Sequence, residues 1–183
     1  MAGSTLRQIL AVVCTAAVLA GCASAPPLKR VTLNPPQTDR ASAQPSEWTV
    51  RRVLVPEYLD NYDIQLRTED YVIDRMADAK WAVRLPVAMT NLLQQTINEK
   101  LLTGRDRHYV VHVSVDTFEP QPSGNVVLNA QWRVTDDQRV VASDSALITE
   151  PLPAGATHRP EAVGRAMSSA VRELGMQILS RAG

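Results

Sequence analysis

Asn125-Val126-Val127-Leu128-Asn129-Ala130-Gln131-Trp132-Arg133-Val134-Thr135 is the stretch that decides the fold. Val126, Leu128, Ala130, Trp132 and Val134 alternate with Asn129, Gln131 and Arg133, the period of two expected of a strand with one buried face. Residues 108–118 repeat the pattern, with Tyr109, Val111, Val113 and Val115 on one side. Residues 139–149 supply a third candidate. Pro120 to Gly124 makes the first turn and Asp136-Asp137-Gln138 the second, so the three strands predict an antiparallel meander.

Upstream, residues 49–55 read as a strand stopped by Pro56, Tyr62, Ile64 and Leu66 alternate in the next, and Tyr71, Val72 and Ile73 suggest another. The period then lengthens. Leu85, Met89, Leu92, Leu93, Thr96 and Leu101 fall on one side of a helix that begins near Pro86 and ends before Gly104, with proline and glycine at the ends that tolerate them. From Pro160, residues Val163, Ala166, Met167, Ala170, Val171, Leu174 and Ile178 predict a second amphipathic helix. The order strands, helix, strand meander, helix predicts an α+β fold, an antiparallel sheet with two helices packed on one face and a more polar opposite face.

The N-terminus is of a different kind. Arg7 precedes an apolar run ending in Leu19-Ala20-Gly21-Cys22, which resembles a bacterial lipobox. The run is shorter than the roughly 20 apolar residues that cross a bilayer. The resemblance implies a signal peptide over residues 1–21, cleavage between Gly21 and Cys22, and a diacylglycerol and an N-linked acyl chain on Cys22. Residues 22–47 hold Pro26, Pro27, Pro35, Pro36 and Pro45 among Ala, Ser, Thr and Gln, the composition of a semi-stiff tether. A short edge strand fits within it at 30–33, and residues 48–183 are enough for one domain.

Charge is balanced at 19 basic and 19 acidic side chains, and loss of Arg7 with the signal leaves the mature chain one unit negative. Its basic residues are scattered pairs such as Lys29-Arg30 and Arg51-Arg52, so the clustering that draws nucleic acid is missing. Cys14 leaves with the signal and Cys22 is modified, which excludes intramolecular disulfides, zinc-thiolate sites and cysteine nucleophiles.

Val53-Leu54-Val55-Pro56-Glu57-Tyr58-Leu59, Trp81-Ala82, and Phe118 with Gly124 and Leu128-Asn129-Ala130-Gln131-Trp132 resemble, in order and spacing, the PqiC-like or ABC-type transport auxiliary lipoproteins. The resemblance implies a non-enzymatic lipoprotein on the periplasmic face of the outer membrane. Its implied partner is an MCE-domain protein that carries lipid across the periplasm, with self-association into a ring around the conduit. The chain departs from the family pattern at Arg30-Val31-Thr32-Leu33, where a tyrosine-rich strand is usual, and at Val83-Arg84. The alternative is a lipoprotein chaperone for another outer-membrane protein or for lipopolysaccharide machinery.

Chemistry-bearing residues are few. His108 and His112, four residues apart on a strand, have Cα atoms about 13 Å apart, too far for one metal ion. His158 lies in a proline-rich loop. No Gly-x-Ser-x-Gly elbow occurs, and Asp136-Asp137, Glu69-Asp70 and Asp60-Asn61 fit turns. No metal, cofactor or catalytic residue is therefore expected. Trp132 reads as a core anchor, whereas Pro56, Tyr58 and Leu59, in a loop, are the expected exposed contact with a partner.

Overall fold

The structure is a computed structural model that describes residues 27–33 and 46–182. Gly21, Cys22, the expected signal peptide and much of the expected tether lie outside the described residues. In chain order the elements are β1 (Lys29–Val31), β2 (Thr49–Val50), a 3₁₀ turn (Glu57–Leu59), β3 (Asp63–Glu69), β4 (Val72–Trp81) and α1 (Leu85–Lys100). There follow β5 (Tyr109–Pro120), β6 (Asn125–Asp136), β7 (Arg139–Pro151) and α2 (Pro160–Ala182). The class is α+β, with mostly antiparallel pairing.

The meander β5-β6-β7 forms as its alternation predicts, with β2 added at the β5 side. Val126, Leu128, Ala130, Trp132 and Val134 of β6 all face the core, as do Val111, Val113 and Val115 of β5. The helices cover this face. Val163, Met167, Val171, Leu174 and Ile178 of α2 are buried against it, each contributing roughly 1.5–3 kcal/mol. α1 runs antiparallel to α2, with Glu99 beside Arg172 and Thr96 beside Gly175, and meets it closely, for a Cβ on Gly175 would stand 2.9 Å from Thr96 Cγ2.

The other upstream strands do not extend that sheet. β1, β3 and β4 make a second one, ordered β1-β4-β3, and β1 and β2 each join their sheet in parallel. β4 runs to Trp81, well past the Tyr71–Ile73 signal. Its buried residues Met76, Ala79 and Trp81 are spaced three and then two apart, which breaks the period. The expected strand at 49–55 is shorter, because Arg51 N–H reaches Val111 O (2.9 Å) and the next donor to β5 is Leu54, to Val113 O (3.0 Å). One extra residue is thus inserted, and it turns Val53 into the core. α1 satisfies the strand edge left over: Thr90 Oγ1 accepts from Val53 N–H (3.0 Å), and Gln94 accepts from Val50 N–H (2.9 Å) and donates to Trp48 O (2.8 Å).

Candidate functional site

The open face of the four-stranded sheet, opposite the helices, bears the most organised polar surface. Register sets it out in rows. Arg51 on the β2 side, His112 on β5, Arg133 on β6 and Ser143 on β7 form one row; Leu54, Ser114, Gln131 and Ser145 form the next. Together they line a groove of about 840 Å³, with Asp116 beyond them. Arg51 and Arg133 make no ion pair among the described residues. Partial burial, then the charges of Arg133 and Arg51, hold the His112 pKa below the usual 6.5. A neutral imidazole between two guanidinium groups avoids like charges on directly opposed strand positions. His112 Nε2 lies 3.4 Å from Thr135 Oγ1. The row can take carboxylate or phosphate oxygens through charge-assisted hydrogen bonds. Leu54, 65% exposed, and Leu147, 73% exposed, give the face apolar neighbours.

A second polar cluster is buried. Glu119 is inaccessible to solvent, and its carboxylate accepts from Arg67 Nε (3.0 Å), Tyr58 Oη (2.9 Å), Phe118 N–H (3.0 Å) and Gln121 Nε2 (3.3 Å). With both oxygens so occupied it is a structural tie between the 3₁₀ turn, β3 and β5. Burial and then the Glu119 charge push the Tyr58 phenol well above its ordinary pKa, so it stays a donor.

This cluster corrects the expectation that Tyr58 and Leu59 are exposed. Leu59 is 1% exposed in the core, and Tyr58 is partly buried with its hydroxyl turned inward. Pro56, half-buried, opens the turn. Trp132 is 4% exposed, a core anchor, and its Nε1 has no hydrogen-bond partner among the described residues.

The remaining candidates are apart. His108 Nδ1 pairs with Glu47 Oε2 at 3.5 Å, both exposed, away from His112, and His158 is exposed in the loop before α2. Asp136 and Asp137 belong to the tight turn joining β6 to β7. Asn61 makes the expected turn bonds, to Tyr58 O (2.7 Å) and from Asp63 N–H (2.7 Å). Asp60 pairs with Arg52 (3.2 Å) and Arg84 (3.3 Å). No grouping of three or more His, Cys, Asp or Glu fit for a metal occurs among the described residues. The row of Arg51, His112 and Arg133 escaped sequence reasoning; its signal was the polar half of the alternation in β5 and β6.

The helices back one face of the four-stranded sheet and leave the other open and polar. The same fold occurs in a solved structure described as an uncharacterized protein, at a TM-score of 0.59 and 16% identity, covering 73% of this chain and 89% of that one. It occurs again in a Xanthomonas campestris protein assigned to DUF330, at a TM-score of 0.56 and 22% identity, covering 84% and 90%. No curated protein matches the chain. The family described as ABC-type transport auxiliary lipoprotein component matches residues 32–179, and the chain belongs to that family. No helix among the described residues is long and apolar enough to cross a membrane.

Proposed function

We propose that this protein is a non-enzymatic subunit of an MCE-type, ABC-driven lipid transport system. Anchored in the outer membrane through acyl chains on Cys22, it docks the periplasmic tunnel and supports envelope integrity. Membership of the auxiliary lipoprotein family carries the reading, and Leu19-Ala20-Gly21-Cys22 supports the anchor. The partner contact is assigned to the open sheet face, where Arg51 and Arg133 make no ion pair among the described residues and Leu54 is exposed, with Pro56 two residues beyond it. A Glu119 carboxylate whose oxygens are both taken up by hydrogen bonds within the fold supports attachment over catalysis.

The test places a photo-crosslinking residue at Gln131 or at Ser145 in the living envelope and identifies what is captured. An MCE-domain protein is the expected product. Capture of an outer-membrane β-barrel instead would overturn the reading in favour of an assembly factor.

A further inference from the structure

Only six residues separate Cys22 from Lys29, where β1 begins. At no more than about 3.6 Å per residue in a fully extended chain, the seven steps from Cys22 to Lys29 span at most about 25 Å. β1 is bound firmly into the body. It pairs with Ala79, Lys80 and Trp81 of β4, and Val31 O accepts from Ala82 N–H at 2.7 Å. Leu33 is fully buried, and its carbonyl accepts from Ser168 Oγ of α2 at 2.7 Å. An anchor at Cys22 therefore holds β1 and the first half of α2 close to the leaflet, on a far shorter leash than the 26-residue tether that composition suggests.

The surface so placed has a suitable charge. Two grooves, of about 690 and 460 Å³, flank the start of α2 and share Glu161 and Arg165. Glu161 is paired with Lys29 at 3.1 Å and Glu150 lines one groove, whereas Arg30, Arg159 and Arg165 make no ion pair among the described residues, so the surface is positive on balance. Leu28, just before β1, is 44% exposed.

We propose that the face made by β1 and the N-terminal half of α2 lies against the lipid surface that carries the acyl chains of Cys22, with Arg30, Arg159 and Arg165 opposite anionic headgroups. The proposal rests on acylation of Cys22. Each basic side chain brought to an anionic surface strengthens association about fivefold. The open sheet face, across the sheet from the helices, then looks away from the bilayer.

The test uses the full-length acylated protein on vesicles of phosphatidylethanolamine and phosphatidylglycerol whose headgroups carry a quencher. Since the mature chain has no thiol other than Cys22, Ser169→Cys beside Arg165 and Ser145→Cys on the open face each offer one site for a dye. Quenching several-fold stronger at 169 than at 145 is expected. Equal or reversed quenching on protein that floats with the vesicles would overturn the orientation and leave the anchor standing. Protein that does not float would overturn both. A long Gly/Ser insertion after Ser24, combined with Arg30→Glu, Arg159→Glu and Arg165→Glu, should erase the contrast without detaching the protein; a contrast that persists would equally sink the proposal.

Discussion

Arg67 Nη2 lies 2.9 Å from Glu119 Oε1, tying the second sheet to the first across an interface where the carboxylate has no access to water. Removing one member of such a pair strands the other. Arg67→Met should cost about 3–5 kcal/mol in urea unfolding, the range for breaking a buried pair. Tyr58→Phe, which removes one hydrogen bond to the same charge, should cost about 1.5–3 kcal/mol. A loss below about 1 kcal/mol for Arg67→Met, the range of solvent-exposed pairs, would mean that water reaches Glu119.

β1 rests on α2 at Gly164, where an added Cβ would come within 2.6 Å of Val31 Cγ1. Gly164→Ala should therefore destabilise by about 1–3 kcal/mol through overpacking. It should also speed hydrogen exchange at Ala82 N–H, which donates to Val31 O. Val31→Ala in the same chain makes room and should recover much of the exchange protection. Additive losses in the double variant would contradict the contact.

The hairpin from β6 to β7 turns through Asp137 (φ 41°) and Gln138 (φ 75°), both left-handed, where an asparagine followed by a glycine is the favoured pair. The double substitution Asp137→Asn, Gln138→Gly should stabilise by about 1 kcal/mol. Calorimetry would read this as a rise in Tm of about 2–4 °C. An unchanged or lower Tm would show that the turn carries no strain.

His112 binds its proton less readily in the folded state than at the usual 6.5. The unfolded chain then holds more protons just below that pH, so stability falls as pH drops through about 6.5 and stops falling below the folded pKa. An NMR titration should place the imidazole midpoint below 6.5, and Arg133→Ser should move it upward. A midpoint indifferent to Arg133 would remove the cationic row from the open face.

The meander and both helices were legible because each keeps one period over ten residues or more and shows its turn chemistry. The row of Arg51, His112 and Arg133 was not, because it depends on a bulge at Asp116 between β5 and β6. Counted back from the Pro120 and Val126 pair without that bulge, His112 would oppose Val134 and the polar row would dissolve. Nothing in the sequence singles out Glu119, between Phe118 and Pro120. Its burial follows from Arg67 and Tyr58, 52 and 61 residues away, which no local pattern reports. The division into two sheets was hidden for the same reason, since the parallel partners of β1 and β2 lie about 50 to 60 positions along the chain.

The seat of Val31 on Gly164 and the bond from Ser168 to Leu33 join the two ends of the polypeptide, 135 positions apart in the latter case. A chain delivered amino end first, whether by ribosome or translocon, cannot close this clasp until α2 has emerged. Docking of the amino end is consequently completed late, and a nascent or truncated chain lacking α2 would leave β1 held by its pairing with β4 alone, with Val31 and Leu33 uncovered on the side that α2 closes.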